Sequence, residues 1–230
     1  SVPLAVSEKY GLWYDPMTDS YTKAQLTGNQ LFVNLKSGES RILVCSDNED
    51  IYPEGVVEEN VSDVLEEIDL TANKWTLSFI DEQPKVGTTY KLDSLQTWET
   101  LGDSAAVTMG TGVYETIVKL SRDAACGNWS IDLGDVRESA RVYINNVYVG
   151  CAWAVPFVLD CKNALKKGKN IIRIEVTNLP ANRIADLDRK GVKWRKMKEI
   201  NVVDINYKRT TYENWKPVPS GISKVRLVKN

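Results

Sequence analysis

Four polar side chains crowd into the stretch TNLPANRIAD: Asn178, Asn182, Arg183 and Asp186. Two tryptophans stand on connections, Trp153 in GCAWAVPF and Trp194 in DRKGVKWRKMK. These residue types suit sugar recognition. An indole covers the apolar face of a pyranose, while planar amide, carboxylate and guanidinium groups pair with its hydroxyls. Trp98 and Trp215 also fall on or beside connections, whereas Trp75 and Trp129, at strand starts, read as core. The polar cluster has a second, mechanical reading. Asn178, Asn182 and Arg183 could tie down a long loop, with Arg183 paired to Asp186 or to Glu138.

Other chemistries find less support. Histidine is absent, which excludes Ser-His-Asp and Cys-His catalysis and any imidazole ligand or base. A glycosidase needs two carboxylates held at a fixed separation. Glu115 in VYETIV and Glu175 in IIRIEVTN lie inside strands, where alternation makes them solvent-face residues. Catalysis by this chain alone is therefore not expected. Cysteines 45, 126, 151 and 161 form no CxxC, so zinc and thioredoxin-like readings lack a motif. Cys151 and Cys161 form either a bridge or two buried thiols. No cofactor is expected. A structural calcium is compatible with a β-sandwich, but no EF-hand-like loop marks its ligands.

The net charge of -2 gives no general attraction to nucleic acid or membrane. The basic run DRKGVKWRKMK is local and flanked by Asp186, Asp188 and Glu199, so a nucleic-acid partner is set aside. No apolar run approaches the roughly 18 residues of a membrane span. No signal peptide is visible. The chain opens at Ser1 without an initiator methionine, which suggests a processed protein or a piece of a longer one.

The elements that must position these residues read as β-strands. In residues 1–48, YGLWYDP, SYTKAQL, QLFVNLK and SRILVCS alternate, separated by turn-forming MTD, TGN and SGE. Their apolar face is too small to stand alone. Residues 47–69 are strongly acidic and read as a solvated connection or a short helix over Glu58–Ile68. The expected division is a β-meander appendage with an acidic linker, 1–69, and a second domain, 70–230. In the latter, NKWTLSFI, GVYETIVKL, NWSIDLG, SARVYINN, VYVG, PFVLD, IIRIEVTN and GISKVRLVKN are strand-like, with an Asn-Asn turn at Asn145-Asn146 between SARVYINN and VYVG, and NALKKGKN reads as one helical turn closed by Gly168. Regular short strands with little helix define an all-β sandwich. A long segment, Leu179–Ser220, interrupts it. Connections of that length are functional or disordered, and Trp194, Trp215 and VVDINY speak against full disorder.

Three ordered pieces carry a family resemblance: GTGVYETIVKL, WSIDLGDVRESARVYINNVYVG and PFVLDCKNALKKGKNIIRIEVTN. Together they resemble the sugar-binding domain of glycoside hydrolase family 2, a galactose-binding-like jelly roll. SLQTWETLGD, VTNLPANRIAD and VPSGISKVRL are closer still to the C-terminal part of glycoside hydrolase family 106, the α-L-rhamnosidases. LWYDPMTDSY and LKSGESRILV resemble the β-structure that trails the catalytic barrel there. No barrel is visible in this chain: one needs some 300 or more residues and parallel β/α alternation.

The resemblance implies a galactose-binding-like jelly-roll sandwich preceded by a small β-meander appendage. It implies a non-catalytic carbohydrate-binding or substrate-positioning module of a larger hydrolase, secreted to the periplasm or beyond, acting on plant polysaccharide or oligosaccharide beside the parent's catalytic domain. The alternative is a purely structural sandwich that buttresses the parent and binds no sugar.

Overall fold

The computed structural model describes residues 2–3, 7–28, 30–58, 64–122, 127–196, 205–206 and 210–229. The chain divides into two compact units, 1–63 and 64–230.

The first unit contains β1 (Val2–Pro3), β2 (Tyr10–Asp15), β3 (Ser20–Lys23), β4 (Leu26–Thr27), β5 (Gln30–Leu31), β6 (Ile42–Ser46) and β7 (Val57–Glu58). One sheet runs β6-β2-β3-β7 and a smaller one β1-β5-β4. Of the run QLFVNLK, only Gln30 and Leu31 pair, and they do so in the smaller sheet. The core is slight: Trp13, Ala24 and Leu31, with Leu26, Val33 and Leu43 packed against them. Three residues of core explain why the apolar face of this unit reads as small in sequence.

The second unit is the sandwich. Its strands are β8 (Glu66–Asp69), β9 (Trp75–Gln83), β10 (Tyr90–Leu92), β11 (Met109–Leu120), β12 (Trp129–Asp132), β13 (Val136–Arg137), β14 (Ser139–Ile144), β15 (Val147–Ala152), β16 (Val158–Asp160), β17 (Gly168–Thr177), β18 (Gly221–Ile222) and β19 (Arg226–Lys229). Among the described residues two short α-helices accompany them, α1 (Asp103–Val107) and α2 (Ala181–Arg189). A six-stranded antiparallel sheet has the order β10-β9-β11-β17-β14-β15, and a four-stranded one β16-β12-β19-β8. β13 and β18 form a short pair. Of the stretch Glu58–Ile68, residues 59–63 lie outside the described residues and Glu66–Asp69 is a strand of this unit.

The period of two dictates the core. In β11, Gly112, Tyr114, Thr116, Val118 and Leu120 face inward while Glu115, Ile117 and Lys119 face out. β17 contributes Asn170, Ile172, Ile174 and Val176. These meet Ile131 and Leu227 of the other sheet in one continuous core. Each buried Leu, Ile or Val side chain stabilises by about 1.5–3 kcal/mol. β17 sits between β11 and β14 and pairs with β11 over ten residues, Thr111↔Thr177 to Leu120↔Gly168. That makes IIRIEVTN a central strand, as its unbroken apolar rhythm suggests.

Two local readings meet different outcomes. Asn145 and Asn146 take φ of 53° and 66°, the left-handed pair that closes a tight hairpin between β14 and β15. NALKKGKN, by contrast, forms no helix: residues 163–167 are a turn and irregular chain, and Gly168–Asn170 already belong to β17. Asn170 explains it. Its buried amide accepts from Lys166 N at 2.8 Å and donates to Lys166 O at 2.7 Å and Gly168 O at 3.1 Å, so the side chain takes the bonds a helical turn would have made.

Candidate functional site

Leaving β15, the chain passes from the six-stranded to the four-stranded sheet through Trp153–Phe157. Phe157 turns inward and is buried, and its carbonyl accepts from Leu133 N at 2.9 Å. Trp153 turns outward and is 64% exposed, whereas Trp75, Trp98 and Trp129 are 3% exposed or less. Trp98, expected near a loop rim, is core. Its Nε1 donates to the Tyr114 hydroxyl at 2.8 Å.

Register places Trp153 at the end of the sheet where β17 runs out. Ala152 pairs with Ala140, which pairs with Val176. Trp153 is thus one residue beyond that row, two strand spacings from Thr177 and Asn178, or about 10 Å.

Asn178 holds this rim together. Its Oδ1 accepts from Gly110 N at 3.0 Å, and its Nδ2 donates to Thr108 O at 3.0 Å and to Ser220 Oγ at 3.1 Å. Asn182, 6% exposed, reaches the same returning segment. Its Nδ2 donates to Val218 O at 2.8 Å and its Oδ1 accepts from Val218 N at 2.9 Å, mimicking a strand pair. The segment bounded by Leu179 and Ser220 is thereby pinned at both ends.

Pro180 opens α2 and Gly191 follows it, the proline-first, glycine-last pattern of a short helix. On it, Asp186 is 7% exposed and takes Arg183 Nη1 at 2.8 Å and Lys190 Nζ at 2.9 Å. Arg183 therefore meets Asp186, the first of its two expected partners.

Two residues beyond Asp186 on the same helix, Asp188 is a hub. It accepts from Trp194 Nε1 at 2.6 Å and from Tyr212 N at 2.8 Å. Arg189 donates to Glu213 O at 2.8 Å and to Trp215 O at 2.7 Å. The Arg195 guanidinium lies 5.1 Å from both the Trp194 and Tyr212 ring centres and donates to Thr210 O at 2.7 Å. Tyr212 and Trp215 rings are 4.5 Å apart, and Trp215 is 50% exposed. The basic run is thus engaged with its own loop. Asp188, Arg189, Arg195 and Tyr212 escaped sequence reasoning, because the bonds that join them span 15 to 26 residues without a pattern.

Glu115 and Glu175 lie on the outer face of the six-stranded sheet, on neighbouring strands, but only Glu115 is the exposed residue expected of both; Glu175 is 9% exposed and buried. Glu175 is held by Arg173 at 3.0 Å and Arg141 at 3.8 Å. Cys45, Cys151 and Cys161 are free thiols, so no Cys151–Cys161 bridge forms; Cys126 lies outside the described residues. Burial pushes the Cys161 thiol up to about 12, with Asp160 adding to it. Among the described residues no group of three or more His, Cys, Asp or Glu could hold a metal ion, and no helix is long and apolar enough to cross a membrane.

No family model matches the chain. A "Putative beta-glucuronidase" of Formosa agariphila is 30% identical over 159 residues, 64% of this chain and 14% of that protein. The rhamnosidase from Novosphingobium sp. PP1Y overlays on 98% of the chain with a TM-score of 0.68 and 21% identity, using 21% of its own length. The Bifidobacterium dentium β-glucuronidase solved with coumarin-3-O-glucuronide overlays on 74% of this chain and 31% of its own, at a TM-score of 0.49 and 14% identity. The overlay on the rhamnosidase shows the fold, a β-sandwich. The chain spans 14% of its curated relative and 21% of the rhamnosidase.

Proposed function

We propose that this chain is a non-catalytic carbohydrate-binding or substrate-positioning module of a larger glycoside hydrolase of the α-L-rhamnosidase type. Its parent works in the periplasm or outside the cell on plant polysaccharide, and the module presents sugar beside the parent's catalytic domain. The observation that carries this reading is Trp153: a large aromatic exposed on a sheet-to-sheet corner, with no packing duty to explain it. Arg183, Asp186 and Trp194 are the further residues of the proposed sugar site, each already engaged within its own segment. Asn178 and Asn182 act as the scaffold of the rim, since their amides are spent on backbone and Ser220. That expenditure favours the second reading, a structural sandwich that buttresses the parent without binding sugar.

Retention of the purified chain on immobilised plant polysaccharides decides between them. Binding through one stacked aromatic is weak, with a dissociation constant on the order of 0.1–1 mM, because polar groups must shed water. Trp153→Ala is expected to reduce retention and leave Tm unchanged. Absence of retention by the unsubstituted chain on every polysaccharide would leave the structural reading standing.

A further inference from the structure

The outer face of the six-stranded sheet holds a concavity of about 760 Å³ that the rim does not account for. It is lined by Lys74, Lys91, Asp93, Glu115, Ile117 and Ile171, among others. Its size falls within the roughly 300–1,000 Å³ of ligand pockets. The register explains its chemistry. Lys91 pairs with Thr76, and Thr76 with Glu115, so one row of the sheet carries an ammonium, a hydroxyl and a carboxylate across about 10 Å. Ile117 pairs directly with Ile171 one row further on, and the two remain 50% and 40% exposed.

Glu115 ought to have a partner. Arg173 stands directly opposite it on β17, and such cross-strand charge pairs are favourable. The Arg173 guanidinium is instead committed elsewhere, to Glu175 at 3.0 Å and over the Tyr143 ring at 4.1 Å. Glu115 is left exposed toward the concavity. Among the described residues the side chains of Lys74, Lys91, Asp93 and Glu115 make no hydrogen bond or ion pair. Four charged groups of balanced sign, with no internal duty, surround an apolar pair.

We infer that this concavity is a second ligand site, one for a short neutral oligosaccharide, distinct from the Trp153 rim. Hydroxyls both donate and accept, so they satisfy ammonium and carboxylate groups at once. The apolar face of a sugar ring covers Ile117 and Ile171. Balanced charge gives no net attraction to an anionic sugar. The inference rests on the carbohydrate reading above and adds where a second sugar binds.

The test uses the whole chain in a Trp153→Ala background, which silences the rim. Xylotetraose, cellotetraose, galactotetraose and arabinotetraose are titrated at millimolar concentration by calorimetry, with amide NMR shifts recorded. Binding of at least one is expected, with shifts at residues 74–76, 91–93 and 115–117. Adding Lys91→Ala or Glu115→Gln is expected to weaken it at least tenfold, with an unchanged NMR spectrum of the remaining core. Binding indifferent to both substitutions, or lost in Trp153→Ala alone while the unsubstituted chain still binds, overturns the face site and leaves the carbohydrate module standing. Preferred binding of tetragalacturonate at these residues overturns the neutral assignment. No binding by the unsubstituted chain, to soluble or immobilised sugar, overturns the face site and the carbohydrate module together.

Discussion

Trp98 donates its indole N–H to the Tyr114 hydroxyl at 2.8 Å in the interior of the sandwich, and neither ring is exposed to solvent. The same hydroxyl accepts from Ile222 N at 3.4 Å. Three separate stretches of chain, the Trp98 turn, β11 and β18, therefore converge on one oxygen. Gly221 lies against them with φ of 92°, and a Cβ there would overlap both Tyr114 Oη and Trp98 Nε1.

Tyr114→Phe should thus destabilise the sandwich by about 1–3 kcal/mol, because it strands two buried donors. Gly221→Ala should cost more, since it adds steric overlap and an unfavourable backbone conformation. Denaturant unfolding of the two variants checks this ranking. A Gly221→Ala chain as stable as the unsubstituted protein would contradict the close approach.

Asn178 and Trp153 should behave oppositely. Asn178→Ala leaves Gly110 N, Thr108 O and Ser220 Oγ without their partner and should cost about 1–3 kcal/mol, a fall of several degrees in Tm. Trp153→Ala removes an exposed ring and should stay within about 0.5 kcal/mol. Thermal melts of both variants read the contrast directly. Equal losses would mean that Trp153 packs in solution.

Much of this was legible in the sequence because the relevant signals are local. Alternation in GVYETIVKL and IIRIEVTN gave the two longest-paired strands, and Asn145-Asn146 gave the hairpin turn. The family pieces, in order, carried the sandwich. What stayed hidden was non-local. TNLPANRIAD marked the right place, but whether its amides serve a ligand or the scaffold depends on Val218 and Ser220, 36 and 42 residues away. NALKKGKN has helix-favouring residues, yet Asn170 diverts its backbone bonds. The concavity was invisible because Glu115 looks like any solvent-face residue until Arg173 is seen turned toward Glu175 and Tyr143.

Asp188 should control the loop it organises. Asp188→Ala removes the acceptor of Trp194 Nε1 and Tyr212 N, while β17 and the core keep all their contacts. Limited trypsin digestion should therefore cut within residues 190–196 and 210–216 faster in the variant, with Tm changed far less than by Asn178→Ala. An unaltered digestion pattern would show that Arg189 and Arg195 hold the loop without Asp188.

Alkaline pH should weaken the fold in two stages. The Cys161 thiol has an ordinary value of 9.0 and is pushed up to about 12 by burial, then by Asp160. Burial likewise pushes the Tyr114 hydroxyl well above its ordinary 10.0, despite the opposing bonds from Ile222 and Trp98. Each folded group keeps a proton that the unfolded chain releases. Stability is therefore complete below pH 9.0 and declines as pH rises from there toward 12, with Tyr114 adding to the decline above 10.0. Cys45, also raised by burial, acts in the same sense and remains in every variant. Cys161→Ala should leave the onset near pH 9.0, where Cys45 also acts, but make the decline above it shallower. Melting curves across this range decide it. A decline of equal steepness with and without the Cys161 thiol would remove that group as a source of alkaline sensitivity.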